Sequence, residues 1–185
     1  MLPLAISTAA AGLYLPGYLG LELPSHTDST NRDTEKKKKT VLIWGGSSSV
    51  GATAIQLAHA SGLNVITTAS SSNFTLVRDL GAVAVFDYRS ETVVQDIVRE
   101  VQGLGGEFVG IYDAISEEGK SLGPLAGILE GLGLDKAGGV RIAGVLPVEG
   151  NKYGVESKFG MYLLLSLSSI WLTGFRLCSL RFGHS

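Results

Sequence analysis

Between Thr40 and Val145, short β-branched runs alternate with helical stretches of roughly ten residues, and few folds accommodate that alternation. Thr40–Trp44, Val65–Thr68, Val83–Phe86, Phe108–Tyr112 and Val140–Val145 read as strands. Between them, Val50–Ala60 carries Ile55, Leu57 and Ala58 at helical spacing until Gly62 stops it. Asn73 can cap a second helix that runs to Leu80 and ends at Gly81. Glu91–Val101 reads as a third helix closed by Gly103, and Lys120–Leu132 as a glycine-broken fourth. Strand–helix–strand units of this length need crossover connections, which leave the strands parallel and the helices on both faces. The expected fold is α/β: a doubly wound, Rossmann-like parallel sheet in three αβα layers.

Four segments follow from the same pattern. Residues 1–21 form a leading helix, Ala-rich over Leu4–Leu15, broken at Pro16 and Gly17, and expected to lie outside the five-strand core. Residues 22–39 are a polar linker ending in the basic run Lys36–Lys39, residues 40–150 the dinucleotide-binding domain, and residues 151–185 a divergent apolar segment. From Tyr153 onward a long helix and a strand followed by a helix fit equally well.

Composition narrows the function classes. The 185 residues are 45% hydrophobic and 17% charged, which suits one globular domain with a substantial core. Fifteen Lys and Arg against seventeen Asp and Glu give a net charge of −2, so no overall basic field exists to hold nucleic acid. The lysine run reads as a solvated loop beside acids that weaken its field. A single cysteine, Cys178, excludes an intrachain disulfide and a multi-cysteine zinc site, and three scattered histidines show no metal-ligand spacing. No basic region precedes the apolar N-terminus, and the fifteen residues Met161–Phe175 fall short of the roughly 20 that cross a bilayer. A soluble, cytoplasmic protein with no membrane partner is expected, with a homo-oligomer possible and Met161–Phe175 as its surface if the chain is a binding module.

The chemistry concentrates in Trp44-Gly45-Gly46-Ser47-Ser48-Ser49-Val50-Gly51, which joins the first strand to the first helix, where a doubly wound sheet binds its nucleotide. Small residues let the backbone approach a pyrophosphate, hydroxyls of Ser47, Ser48 and Ser49 can donate to it, and the helix start offers unpaired N–H groups. Gly46 through Gly51 spell G-x-S-x-x-G, in which Ser48 replaces the middle glycine of the usual dinucleotide fingerprint. The same stretch lacks the lysine of a P-loop, which disfavours an ATPase or GTPase. Tyr153 and Lys158 are five apart, whereas a short-chain dehydrogenase needs Tyr-x-x-x-Lys. After the second strand the chain reads Thr67-Thr68-Ala69-Ser70-Ser71-Ser72-Asn73, with no carboxylate for a ribose diol. That favours NADPH over NADH, because Ser70 and Asn73 can hydrogen-bond a 2′-phosphate; capping the next helix is the other role open to them.

VLIWGGSSSVGATAIQLA (Val41–Ala58), VITTASSSNF (Val65–Phe74) and LGAVAVFDY (Leu80–Tyr88) resemble the nucleotide-binding half of the medium-chain dehydrogenase/reductase superfamily. Within it the chain is most similar to the zinc-independent fungal enoyl reductases that act in trans with polyketide synthases. The resemblance runs over about Leu2–Val148 and includes the leading helix. It implies that Ser48, Ser49 and Val50 meet the pyrophosphate and that Ser70, Asn73 and Tyr88 meet the 2′-phosphoadenosine end of NADPH. It further implies that Thr8 lies on the nicotinamide side, and that Ala114 and Val145-Leu146-Pro147 line the nicotinamide ribose and amide. Tyr88 as a half-buried strand-end tyrosine and Thr8 as an ordinary helix residue are the plainer alternatives. Complete members carry an N-terminal barrel-like domain that walls one side of the substrate cleft, and a C-terminal part that folds back on it; this chain is expected to lack both.

Three functions therefore stand open. The first is an NADPH-binding oxidoreductase that passes hydride to an α,β-unsaturated, carrier-bound polyketide-type thioester. The second is a cofactor-independent isomerase or cyclase on a polyketide-like small molecule, with Tyr14, Tyr18, Tyr112, Asp113 and His59 as its candidate polar groups. The third is a non-catalytic binding module.

Overall fold

A computed structural model describes residues 2–24, 39–134, 141–146 and 157–159. Within them, α1 spans Leu2–Tyr14, β1 Lys39–Trp44, α2 Ser49–Ala60, β2 Asn64–Ala69, α3 Phe74–Asp79 and β3 Ala82–Asp87. α4 spans Val93–Leu104, β4 Glu107–Asp113, α5 Leu122–Gly131, β5 Arg141–Gly144 and β6 Ser157–Phe159. A short 3₁₀ turn, Ser71–Asn73, precedes α3. All strands pair in parallel, in the order β3-β2-β1-β4-β5-β6. Each strand of the expected five is present, and the sheet is the α/β, doubly wound architecture.

Alternation along each strand sorts the core into two layers. In β1, Val41 and Ile43 join Ala54, Ile55 and Ala58 of α2 and Val77 of α3 on one face. Leu42 and Trp44 join Ile97 and Val101 of α4 and Leu125 and Ile128 of α5 on the other. Helix α4 achieves this with apolar residues four apart, Val93, Ile97 and Val101, all buried. Each such side chain, withdrawn from water, contributes about 1.5–3 kcal/mol, so the sheet is held from both sides.

One expectation needs correction, and one open reading is narrowed. The leading helix is not outside the core: Ala9 and Leu13 of α1 are fully buried and belong to the same cluster as α2 and the sheet. Its small residues let it lie close against the α2 face, where the Tyr14 hydroxyl donates to the Leu57 carbonyl at 3.0 Å and meets Ser61 Oγ at 2.9 Å. Arg141 fastens the turn after α1, donating to the Pro16 and Tyr18 carbonyls at 2.7 and 3.0 Å. Past residue 150 the sheet gains its sixth strand, β6, which pairs Gly144 with Phe159. Of the two readings left open after Tyr153, a strand is what residues 157–159 adopt. The linker from Ser25 to Lys38, Pro147 and the run Met161–Phe175 lie outside the described residues; Lys39 opens β1 and pairs with Glu22 at 3.5 Å. Among the described residues, no helix is long and apolar enough to cross a membrane.

Candidate functional site

Strand order reverses between β1 and β4, and at that point the helices that follow diverge to opposite faces and open a crevice. Register brings the strand ends level there: Trp44 stands opposite Asp113, Asp113 opposite Gly144, and Ala69 opposite Asp87. Gly46–Gly51, Ser70, Asn73, Tyr88, Ala114, Val145 and Leu146 all follow the carboxyl ends of their strands. Residues spread over a hundred positions of sequence thus meet along one sheet edge.

The β1–α2 turn binds some of its own amides and leaves others without a protein acceptor. Ser48 has an extended backbone and is the N-cap of α2, its Oγ accepting the Gly51 N–H at 3.0 Å. The Ser48 N–H itself returns to the Gly45 carbonyl at 3.0 Å. Among the described residues, the amides of Ser47, Ser49 and Val50 find no acceptor. Ser47 and Ser49 are exposed, and Thr53 Oγ1 donates to the Ser49 carbonyl at 2.9 Å. Three amides without a protein acceptor at the positive end of a helix suit a diphosphate.

Gly46 and Gly51 serve this cradle from beneath. A Cβ on Gly46 would run into Thr67 Oγ1 and come within 2.8 Å of Ile55 Cδ1, and a Cβ on Gly51 would strike the Gly45 carbonyl. Their missing side chains let the turn press onto β2 and onto itself; the ligand-facing surface is left to Ser47, Ser49 and Val50. Two threonines that sequence reading passed over hold the turn down. Thr67 Oγ1 donates to the Ile43 carbonyl at 2.7 Å, and Thr68 accepts the Gly45 N–H on Oγ1 at 3.0 Å and the Gly46 N–H on its carbonyl at 2.8 Å. In the sequence they look only like β-branched strand residues, so no local signal marks them.

Beside this turn, Ser70 and Asn73 are tied together: Asn73 Nδ2 donates to Ser70 Oγ at 3.0 Å and the Asn73 N–H to the Ser70 carbonyl at 2.8 Å. Neither side chain caps a helix. Tyr88 is 45% exposed just past β3. Next to it stands a cation that sequence reading missed. Arg89 lies over the Tyr88 ring, 5.4 Å from its centroid, and grips Asp87 through Nε and Nη2 at 3.0 Å each. The Arg89 hydrogen bonds hold the Asp87 carboxyl below its ordinary range. Arg89 Nη1 is outside that pair.

On the other side of the crevice, Ala114 is buried, Val145 half-buried and Leu146 exposed. The Ala114 amide donates to the Trp44 carbonyl at 3.0 Å and the Val145 amide to the Asp113 carbonyl at 3.1 Å, which locks the ends of β1, β4 and β5 together. Thr8 sits on the α1 face, its carbonyl accepting the Tyr112 hydroxyl at 3.2 Å. Burial pushes the Tyr112 phenol and, less deeply, the Tyr14 phenol above their ordinary values. The polar groups considered for cofactor-free chemistry do not converge. Tyr14 and Tyr112 bond to backbone between elements, Asp113 is buried on the opposite sheet face, and the exposed His59 packs beside Gly81. Among the described residues, no cluster of three metal-ligating side chains occurs.

Comparison with known proteins agrees with this geometry. Residues 49–121 match the family described as zinc-binding dehydrogenase. The chain is 52% identical over 103 residues to dehydrogenase pigH of Monascus ruber, covering 56% of this chain and 27% of that protein. It is 43% identical over 131 residues to trans-enoyl reductase himH of Aspergillus japonicus, covering 69% of this chain and 35% of that protein. The chain thus spans about a third or less of these relatives' length. Among solved structures, an alcohol dehydrogenase superfamily protein from Novosphingobium aromaticivorans superposes with a TM-score of 0.57 at 26% identity, over 96% of this chain and 48% of its own. The family and the fold together imply a nicotinamide cofactor. By strand order, by turn and by these relatives, the chain is similar to the cofactor-binding half of the medium-chain dehydrogenase/reductase superfamily, the part in which it matches fungal dehydrogenases and trans-enoyl reductases.

Proposed function

We propose that this chain is the NADPH-binding part of an enoyl-reductase-like oxidoreductase, which reduces the α,β double bond of a carrier-bound, polyketide-type thioester. The observation that carries the reading is the group of amides at Ser47, Ser49 and Val50 without an acceptor among the described residues, at the reversal point of a doubly wound sheet. Relatives named trans-enoyl reductase supply the reaction class.

Each part of the cofactor has residues suited to it. The three amides and the serine hydroxyls take the diphosphate. Ser70, Asn73, Tyr88 and Arg89 take the 2′-phosphoadenosine end: no carboxylate follows β2 to repel a 2′-phosphate, the Asp87 charge is held by Arg89, and Arg89 Nη1 remains to donate. Ala114, Val145 and Leu146 line the nicotinamide side, and Thr8 approaches from α1. The bound cofactor supplies the hydride. The chain's own residues do the orienting: the tied strand ends of β1, β4 and β5 present a fixed wall against which a planar ring can rest.

Titrating the purified chain with NADPH and NADH, read by nicotinamide fluorescence, tests binding; NADPH oxidation in the presence of an α,β-unsaturated thioester tests turnover. Tighter binding of NADPH is expected. Absence of binding by either cofactor overturns the reading, and product formed from a polyketide-like substrate without cofactor would replace it by isomerase or cyclase chemistry.

A further inference from the structure

Asp113 ends β4 with its carboxylate turned to the sheet face opposite the Gly/Ser turn, only 1% exposed. A buried carboxylate is costly unless its lone pairs are met, and here they are met in a directed way. Oδ1 accepts the amides of Ile115 and Ser116, each at 3.0 Å, and Oδ2 accepts the Ser121 hydroxyl at 2.7 Å. Those bonds coil the chain into a tight loop that carries Ser116 at φ 53°, a left-handed conformation that a serine adopts only when its surroundings impose it.

The enforced conformation aims the Ser116 hydroxyl across the strand gap. Ser116 Oγ accepts the Val145 amide at 2.9 Å while donating to the Asp113 carbonyl at 3.1 Å. Gly144 leaves room for this: a Cβ there would stand 2.8 Å from Ser116 Oγ. One buried carboxylate thus controls a loop, the loop controls a hydroxyl, and the hydroxyl holds the first residue past β5. Ala114 lies inside the loop and Leu146 directly follows the held residue.

We propose that Asp113 is a positioning residue for the nicotinamide half of the cofactor, acting through Ser116 to hold the Ala114 and Val145–Leu146 backbone as one surface. This rests on the NADPH reading above, and goes beyond it by assigning the order of that surface to a group that does not face the ligand. Ser121, which presents its hydroxyl to Asp113 rather than capping α5, belongs to the same device.

The test separates the two ends of the cofactor. Affinities of wild type, D113A, D113N and S116A are measured by calorimetry for NADPH and for 2′,5′-ADP, which carries only the phosphoadenosine end. D113A and S116A are expected to weaken NADPH about tenfold or more while 2′,5′-ADP stays within twofold. D113N, which keeps an oxygen for the Ile115 and Ser116 amides, is expected to recover NADPH binding to within threefold of wild type. Equal loss of both ligands in S116A and D113A would show a merely structural role and overturn the proposal, as would unchanged NADPH affinity in S116A. Failure of wild type to bind either ligand would instead refute the NADPH reading beneath it.

Discussion

Replacing Ser48 by aspartate separates the two duties assigned to the β1–α2 turn, because it keeps one and opposes the other. As N-cap, Ser48 accepts the Gly51 amide at 3.0 Å, and aspartate does this as well as serine. A carboxylate at a helix N-terminus adds about 0.3–1 kcal/mol of favourable dipole interaction, so the thermal midpoint of S48D should match or exceed that of the parent. For a diphosphate the effect reverses. From hydrogen-bond lengths and the spacing of adjacent residues, a carboxylate at position 48 stands about 5 Å from an anion on the Ser49 and Val50 amides. Coulomb repulsion at that distance is about 3 kcal/mol per charge pair at an effective dielectric of about 20, and below 1 kcal/mol in bulk water. Ser48 is half-buried, so a value between these limits applies, and NADPH affinity should fall roughly 10- to 100-fold. S48N caps without charge and is the control. Calorimetric titration with differential scanning fluorimetry reads both quantities. If S48D binds NADPH within threefold of S48N with an unchanged midpoint, the diphosphate does not lie at this helix start.

Other outcomes follow from separate parts of the structure. Arg89→Ala should lower NADPH affinity roughly tenfold and leave NADH nearly unchanged, since only the former presents a 2′-phosphate for charge-assisted bonds; parallel titrations decide it. Gly12→Ala lies within α1, where helix propensity alone favours alanine by about 1 kcal/mol. Its new methyl would collide with the buried Tyr112 ring, so a loss of about 1–3 kcal/mol is expected in urea unfolding, and a gain would refute the packing. Burial raises the Asp113 carboxyl above its ordinary value, so between about pH 4 and that raised value the folded chain holds a proton that the unfolded chain has released. Stability should therefore decline as pH rises through that window in wild type, and D113N should lack that component.

Periodicity sufficed for the sheet, because burying β-branched runs between ten-residue amphipathic helices leaves few arrangements, and every strand expected between Thr40 and Val145 appears within about a residue of its place. The Gly/Ser turn was equally legible, since its composition and its position between strand and helix are both properties of local sequence. Less visible was anything that depends on what lies across a gap. Ala9 and Leu13 read as part of a detached leading helix, and only the contact with α2 and the sheet makes them core. Gly46 looks as if it clears space for a ligand; the neighbour it clears space for is Thr67, which parallel pairing of β1 with β2 brings there, while Gly51 clears the Gly45 carbonyl of its own turn. Arg89 is one more surface arginine until its grip on Asp87, which the register of β2 on β3 sets opposite Ala69, puts it at the sheet edge that Ser70 and Asn73 follow. Asp113, Ser116 and Val145 carry no shared pattern, being joined by the pairing of β4 with β5. The elements and the kind of turn follow from apolar spacing and backbone preference within a few residues, so they can be read locally. Which side chains hold that turn and the opposite wall in place depends on register, because hydrogen bonds and close packing between strands join residues that no short stretch of chain brings together.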